Sequence, residues 1–469
     1  MKKNLFFDDN RLFGIDNLRR DYGKPEFLAE YDDGVCSADF FTGFIFKLDD
    51  GRYRLLYMGH GEGFKGMKLF SAESNDGINF LPEKLFADKE YPHEIMNIPR
   101  GDEIAFVYED KYTKNPDERY KLLLSEHNNH RESLSIDDEL YVSGDLINWT
   151  KKEGVLWGDG AEPVASVFYN KHRGVYTIVQ RPFWGVRCVG YKETADWKNF
   201  SEFQMCLNVD SLDESLSEIY GMPTFEYDGM YIGFPLTYRN LKSEPNAKYK
   251  NGTIDCQLAY SYDGRYWQRS LRKPFMSGVD ARANGLSDYK LFWTASMIKD
   301  DSENIIIYVS ASEYEHGPAF GKPGTGKIFV YGMRKDGFIG LTSENKAEPS
   351  RLITREKVWF GGELHLNINA KNVTVAVFDS CESEHVGGNV LGFSVPVEGY
   401  GHEDCIPFSG DSTDLTIEYK NGKLLDDLKG KTLVFEIRFN DGTIYSVSGN
   451  YEDVFNTQAA RYRKFGILP

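Results

Sequence analysis

Four acidic residues lie a few positions ahead of apolar, strand-like segments, and their side chains could perform acid–base chemistry. Asp39 precedes one segment, Asp159 and Glu162 precede a second, and Glu218 precedes a third. A lone acidic residue in a turn is usually solvated, but three sets at equivalent strand entries favour a functional site. Carboxylates that converge on one pocket repel one another, so one can stay protonated while another stays ionised. Hydrolysis of a glycosidic bond requires such a pair.

The stretch from Glu218 to Tyr238 indicates how such an entry is built. Apolar and polar residues alternate on both sides of Asp228-Gly229, a strong short-range signal for a β-hairpin. Gly221 and Pro223 predict an irregular entry to the first strand. We therefore expect Glu218 to stand at a strand end, outside any hydrogen-bonded ladder.

A turn with the pattern Ser/Thr-x-Asp-x-x-x-aromatic recurs along the chain. Copies occur at residues 74–80, 143–149, 194–200 and 261–267, and a weaker one occurs at 334–338. The hydroxyl and the carboxylate can accept hydrogen bonds from nearby backbone N–H groups and close the turn. The aspartates are 69, 51, 67 and 73 residues apart, which indicates a repeated structural unit.

Each interval between these turns also contains a predicted central hairpin. Repeated all-β units of about four strands are typical of a β-propeller, in which the innermost strands line the axis. We therefore predict an all-β chain with a five-bladed propeller in residues 1–340. The predicted blades are roughly residues 38–80, 81–149, 150–200, 201–267 and 268–340. In that fold, the entries of the innermost strands meet at one mouth of the axis.

The pattern changes after residue 340. Residues 341–469 contain strictly alternating strands, with Asn440-Asp441-Gly442 as a hairpin turn. Evenly spaced antiparallel strands with one buried face predict a C-terminal β-sandwich. The polar stretch Thr342 to Pro349 is the predicted linker between the two domains.

Composition disfavours several functions. The formal charge of −17 speaks against a nucleic-acid partner, because phosphates require a basic surface. The six cysteines are scattered, without a Cys-x-x-Cys pair, and we expect no metal and no cofactor. The N-terminus reaches acidic residues after three apolar ones, so we expect a cytoplasmic protein without a membrane partner. The sequence is compatible with a homo-oligomer and does not require one.

Three short segments resemble motifs of the five-bladed glycoside hydrolases of families 32, 43 and 68. Residues 39–46 resemble their Asp-Pro-Asn-Gly entry, Ala161-Glu162-Pro163 is similar to their Arg-Asp-Pro element, and Glu218 followed by Pro223 resembles their general-acid glutamate. The C-terminal part is similar to uncharacterised bacterial proteins related to family 32. The resemblance implies that Asp39 is the nucleophile or base and Glu218 the general acid. Glu162 would stabilise the transition state or orient the acid, with Asp159 as the alternative third carboxylate or as a substrate-binding residue.

Five further residues are candidate substrate-binding groups. Arg181 and Arg187 could bind hydroxyls or a carboxylate, although pairing with one of the 72 acidic residues is a commoner role. Trp184 could stack on a sugar face, although such aromatics more often pack in a core. His316 follows a predicted strand of the last blade, and Tyr238 ends the stretch that begins at Glu218.

The leading hypothesis is a glycoside hydrolase that removes a terminal sugar, of the fructose or arabinose furanosyl type, from a small oligosaccharide. A phosphorylase or transferase on the same fold would need clustered cations for phosphate, and Arg181, Arg187 and His316 are the candidates. A carbohydrate-binding propeller without catalysis is the third alternative, because a fold alone does not determine function. Carboxylates at three strand entries favour the enzyme.

Overall fold

The computed structural model describes residues 1–35, 43–59, 68–87, 89–95, 103–126, 137–155, 161–240, 252–279, 285–286, 289–316, 326–380 and 395–454. The chain divides into two compact units. Pro25–Gly332 forms the propeller-like unit, and Met1–Lys24 together with Met333–Pro469 forms the second unit. The predicted domain boundary at residue 340 stays a prediction, because compactness does not test whether either part folds alone.

The first three strands belong to the second unit. They are β1 (Lys2–Leu5), β2 (Leu12–Asp16) and β3 (Leu18–Tyr22). The propeller-like unit begins with β4 (Glu26–Tyr31).

Three antiparallel sheets of four consecutive strands follow β4. The first contains β5 (Phe44–Lys47), β6 (Tyr53–Gly59), β7 (Lys68–Ser74) and β8 (Leu81–Pro82). The second contains β9 (Glu103–Glu109), β10 (Tyr120–Glu126), β11 (Asp137–Ser143) and β12 (Thr150–Lys151), with a short 3-10 helix at Pro116–Glu118. The third contains β13 (Ala161–Asn170), β14 (Val175–Pro182), β15 (Val189–Thr194) and β16 (Gln204–Leu207). In each sheet the strands are in chain order.

The other strands of this unit form a seven-stranded and a three-stranded sheet. They are β17 (Ser217–Ile219), β18 (Thr224–Tyr227), β19 (Met230–Gly233), β20 (Leu236–Asn240), β21 (Gly252–Cys256), β22 (Ala259–Ser261), β23 (Leu291–Lys299), β24 (Ile305–Ser312) and β25 (Gly326–Met333). The larger sheet has the order β17-β20-β21-β23-β24-β25-β4, and the smaller has the order β18-β19-β22. The N-terminal strand β4 therefore completes the edge next to β25.

The predicted hairpin at Asp228-Gly229 is present between β18 and β19, and both turn residues have positive φ angles of 47° and 80°. Backbone hydrogen bonds continue between the two sheets: Tyr220 N donates to Leu236 O at 2.7 Å, and Leu236 N donates to Gly221 O at 2.9 Å. The pairs β17–β20 and β18–β19 are therefore two halves of one bent pair of strands.

Side-chain hydrogen bonds join strands of different sheets. Ser166 Oγ on β13 lies 2.9 Å from Thr224 Oγ1 on β18. Ser296 Oγ on β23 accepts a hydrogen bond from Ile45 N on β5 at 3.4 Å. The chain is thus all-β, as predicted, and the sheets of this unit have a propeller-like arrangement.

The repeated turn has the predicted hydrogen bonds, as the third copy illustrates. Thr194 Oγ1 accepts from Trp197 N at 3.0 Å, and Asp196 Oδ1 accepts from Lys198 N and Asn199 N at 2.9 and 2.8 Å. Hydrogen bonds from the backbone and side chain of Asn199 lower the pKa of Asp196 to about 2. The equivalent aspartates Asp76, Asp145 and Asp263 accept the same pair of backbone bonds.

The described residues of the second unit form a ten-stranded sheet. Its C-terminal strands are β26 (Ile339–Ser343), β27 (Ser350–Thr354), β28 (Lys357–Trp359), β29 (His365–Asp379), β30 (Phe408–Thr416), β31 (Thr432–Gly449) and β32 (Tyr451–Asp453). Short 3-10 helices lie at Lys420–Gly422 and Leu425–Leu428. The long strand β31 pairs with β1, β26, β27, β28 and β29.

Two expectations at the start of this region are wrong. The predicted linker is a turn inside the second unit, because it begins in β26 and ends just before β27, and Asn17 Nδ2 donates to Asn345 O at 2.9 Å. The weak fifth copy of the turn has different partners. Asp336 is buried and accepts from Lys3 Nζ at 2.8 Å and from Ser446 Oγ at 2.7 Å.

Candidate active site

Glu162 is the second residue of β13 and lies opposite Arg181 of β14. Arg181 Nη2 is 2.9 Å from Glu162 Oε2. The strand register shifts between Glu162 and Ala165, which is a β-bulge, and bulges commonly redirect side chains beside functional sites. The Arg181 side chain is only 5% exposed, whereas that of Glu162 is 30% exposed. The carboxylate therefore faces solvent, and the guanidinium lies behind it.

Glu218 is held in a similar way by Arg187, which lies between β14 and β15. Arg187 Nη1 is 2.6 Å from Glu218 Oε2, and about a quarter of each side chain is exposed. Ile219 N donates to Arg187 O at 3.2 Å, which fixes the arginine beside β17. The expectation that Glu218 stands outside a ladder is wrong, because it is the middle residue of β17 and pairs with Tyr238 of β20.

The irregular entry predicted after Glu218 is present between β17 and β18. Glycine is required at position 221, because a Cβ there would lie 2.2 Å from Val164 Cγ1 on β13. This close approach brings the strand that carries Glu218 against the strand that carries Glu162.

Tyr220 connects the two ion pairs. The guanidinium carbon of Arg181 lies 4.1 Å from the centroid of the Tyr220 ring, and that of Arg187 lies 5.7 Å from it. Arg187 is also 4.7 Å from the centroid of Tyr238. Cations over aromatic faces are attracted by the ring quadrupole, so the two tyrosines stabilise both arginines in position.

His316 packs against the same tyrosines and is neutral at pH 7. Its Nε2 atom lies 2.8 Å from the Tyr220 hydroxyl, and its ring is 5.4 Å from that of Tyr238. Burial and the nearby positive charges of Arg187 and Arg181 lower the pKa of His316 to about 3. The imidazole can therefore exchange a hydrogen bond with Tyr220 without adding a positive charge.

The formal charges in this cluster cancel. Burial lowers the pKa of Arg181, but Tyr220 and Glu162 outweigh that effect and raise it, so Arg181 stays charged. Its Nη1 atom is buried and has no hydrogen-bond partner in the part of the chain that the structure describes. The cluster thus presents two partly exposed carboxylates to solvent, with one buried guanidinium donor behind them. Such groups can bind sugar hydroxyls and transfer protons.

The structure brings together six of the nine predicted site residues: Glu162, Arg181, Arg187, Glu218, Tyr238 and His316. Trp184 is exposed, and its described ring contact is with Phe203, at 6.5 Å. Asp39 and Asp159 lie outside the described residues. Tyr238 is fully buried, so it supports the exposed groups from behind.

Sequence reasoning missed Tyr220, although this residue is central to the cluster. The available signal was its position two residues after Glu218, because alternate residues of a strand share a face.

Sequence reasoning also missed Asp33. The side chain of Asp33 is buried, accepts a hydrogen bond from the hydroxyl of Tyr57, and pairs with His93 Nε2 at 3.1 Å. Burial raises the pKa of Asp33, but the hydrogen bonds from His93 and Tyr57 outweigh it and lower the pKa.

Within the described ranges, no group of three or more His, Cys, Asp or Glu residues could hold a metal ion. Among the same residues, no helix is long and apolar enough to cross a membrane.

Comparison with known proteins gives no family for this chain. No family model matches, and no curated protein matches at a significant level. One solved structure with some likeness is an N-acetylgalactosamine deacetylase from F. plautii in complex with blood group B trisaccharide. It has 13% identity over 68% of this chain and 96% of that chain, with a TM-score of 0.41. A thermostable family-43 glycoside hydrolase has 12% identity over 68% of this chain and 96% of that chain, with a TM-score of 0.42. A third structure comes from the GH130 family of mannoside phosphorylases. That family contains glycoside hydrolases that target β-1,2 mannosidic linkages in Candida mannan. This structure has 16% identity over 66% of this chain and 94% of that chain, with a TM-score of 0.41. TM-scores below 0.5 are too low to indicate a function for this chain.

Proposed function

We propose that this chain is a glycoside hydrolase that cleaves a terminal glycosidic bond of a small oligosaccharide, of the fructose or arabinose furanosyl type. The observation that carries the proposal is the pair of carboxylates Glu162 and Glu218. They come from two sheets that approach closely where Gly221 meets Val164, they are both partly exposed, and each is held by an arginine. Paired carboxylates are the groups that glycosidic hydrolysis needs.

The proposal includes a five-bladed propeller. The three four-stranded sheets supply three blades, and the bent strands β17–β22 would form a fourth. The fifth would consist of β23, β24 and β25 with β4 as its outermost strand, which would close the ring. We further propose that residues 341–469 form a β-sandwich in which β31 contributes to both layers.

In the proposed mechanism, Glu218 protonates the leaving oxygen, Asp39 acts as nucleophile or base, and Glu162 stabilises the transition state. Asp39 lies five residues before β5, which is one of the first strands that meet in this unit. A general acid must carry a proton when the substrate is bound. We therefore propose that substrate binding separates Glu218 from Arg187 and that Arg187 then binds a sugar hydroxyl.

A phosphorylase is the second candidate, because Arg181, Arg187 and His316 do lie together. However, each arginine already pairs with a glutamate, and His316 is neutral. A phosphate dianion would therefore meet no net positive charge from these groups, whereas a neutral sugar needs none. The charge balance favours hydrolysis.

The test is a hydrolysis assay with 4-nitrophenyl α-L-arabinofuranoside and with sucrose, with and without inorganic phosphate. We expect the sugar to be released in the absence of inorganic phosphate. Asp39→Asn should lower kcat by roughly 10³-fold, whereas Asp117→Asn, an exposed control in the same unit, should leave it unchanged. Turnover that requires phosphate and yields a sugar phosphate would establish the phosphorylase. Binding of these sugars with no turnover would favour a carbohydrate-binding protein.

We also propose a cytoplasmic location. Cys188, Cys206 and Cys405 form no disulfide within the described residues, as in a reducing compartment. Labelling of these thiols in intact cells without prior reduction would test the proposal, and finding the mature chain outside the cell would contradict it.

A further inference from the structure

The strands β5, β9, β13, β18 and β23 of the propeller-like unit line a cavity that does not include the two carboxylates. This cavity of about 390 Å³ lies between these strands and is lined by aromatic residues of four sheets, among them Phe46, Tyr108, Tyr169, Phe225 and Tyr227. A neighbouring cavity of about 780 Å³ shares Ile45, Phe46, Met297 and Ile298 with it. The two cavities therefore form one site with an aromatic part and an outer part.

This site is separate from the proposed catalytic cluster. Neither Glu162 nor Glu218 lines the two cavities. On β13 the lining begins at Ala165, close to Glu162, and continues to Tyr169 near the other end of the strand. A strand rises about 3.3 Å per residue, so the Tyr169 position is roughly 20 Å from Glu162, and the aromatic part of the site lies away from the carboxylates.

The outer cavity is basic, although the chain as a whole has a formal charge of −17. Lys47, Lys111 and Lys299 line it together with Arg119, and the acidic lining residues are Glu109 and Asp110. Glu109 pairs with Arg119 at 2.8 Å, and the buried Asp110 lies 3.4 Å from Lys121 Nζ. The remaining cations at the surface of the cavity are the three lysines.

The three lysines can exchange their present carboxylate partners for a ligand anion. Their side chains are 45%, 74% and 34% exposed, and their partners are Asp301 at 2.5 Å, Glu109 at 3.4 Å and Asp228 at 3.5 Å. Exposed ion pairs contribute little stability, so a ligand anion can replace these partners at small cost. Asp301 and Asp228 are not among the residues that line the cavity.

We propose that this cavity binds a small organic anion that carries an aromatic ring. The ring would enter the aromatic part and stack on its walls, and the anionic group would bind the ammonium groups of Lys47, Lys111 and Lys299. In an acidic protein, local cations are needed to attract such a ligand. Solvated lysines at strand ends are common, but their convergence over an aromatic cavity distinguishes this set.

Binding of 1-anilinonaphthalene-8-sulfonate, an aromatic anion, tests the proposal without any assay of turnover. We expect saturable binding at one site by fluorescence and calorimetry, and binding at least tenfold weaker in Lys111→Glu and in Lys47→Glu. Lys198→Glu, an exposed lysine in a turn, makes the same change in net charge and should alter the affinity less than twofold. The uncharged analogue N-phenyl-1-naphthylamine should bind at least tenfold more weakly than the sulfonate.

Circular dichroism of each variant checks that it is folded, and the two lysine variants provide independent tests. The proposal is wrong if the wild-type protein does not bind the sulfonate. It is also wrong if the three charge variants bind equally, or if the charged and uncharged probes bind alike. None of these outcomes depends on glycosidase activity, so the proposed function can fail while this site stands.

Discussion

Two regions of the propeller-like unit differ in how their charges are held. At the start of β13 and β17, Glu162 and Glu218 pair with arginines that pack on the buried rings of Tyr220 and Tyr238. In the other region, Lys47, Lys111 and Lys299 are exposed beside local acids. The first arrangement positions groups precisely, whereas the second leaves them free to exchange partners. A catalytic site needs the former, and a simple anion site can use the latter.

The difference arises from where each cation is attached. Arg181 lies within β14, opposite its partner in the strand register, and Arg187 is tied to β17 through a backbone hydrogen bond. Lys47 and Lys299 are the last residues of their strands. A side chain in a ladder loses little further entropy when it forms an ion pair, whereas one at a strand end loses more.

The largest expected effect is at Glu218. Glu218→Gln should lower kcat about 10³-fold for an oligosaccharide, because the leaving oxygen then lacks a proton donor. The loss should be much smaller for an activated aryl glycoside, whose leaving group departs without protonation. Steady-state kinetics on both substrates measure this difference, with Glu202→Gln, an exposed residue, as the control. Equal losses on the two substrates would exclude the role of general acid.

The second effect is on stability. Arg181→Met removes a guanidinium that is 5% exposed and leaves Glu162 without its partner. Because Glu162 remains partly exposed and can be hydrated, we expect the free energy of unfolding to fall by about 2–3 kcal/mol, less than for a fully buried pair. Chemical denaturation monitored by tryptophan fluorescence measures this change. A loss below about 0.5 kcal/mol would mean that the cluster does not depend on this arginine.

Local features of this chain could be predicted from sequence, and non-local ones could not. The turn at Asp196 and the hairpin at Asp228-Gly229 depend on hydrogen bonds and φ angles within a few residues. The pairing of Glu162 with Arg181 depends on a strand register 19 positions apart, and the role of Tyr220 depends on residues from three parts of the chain. The sequence predicts a linker at Thr342 to Pro349 where the structure has a turn, because the partner of that turn, Asn17, is more than 300 residues away.

His316 should make the stability of the protein depend on pH. The pKa of His316 is about 3 in the folded protein and near 6.5 when unfolded. Between these values the unfolded chain binds a proton that the folded chain does not, so stability falls as the pH falls from 6.5 towards 3. In that window, His316 alone changes the free energy of unfolding by at most about 1.4 kcal/mol per pH unit. Denaturation curves at several pH values should show a shallower slope for His316→Asn, and an unchanged slope would contradict the assignment.

The smallest expected effect is in the region of the lysines. Lys171 Nζ lies 2.5 Å from Glu226 Oε1, and Glu226 lines the aromatic cavity. Because both side chains are exposed, Lys171→Ala should lower the free energy of unfolding by less than about 0.5 kcal/mol, and 0.5 M salt should remove even that difference. Denaturation of Lys171→Ala and Arg181→Met under identical conditions makes the comparison direct. A similar loss for both variants would mean that the two regions hold their charges alike, and that the lysines around the cavity are structural partners with no capacity to exchange for a ligand.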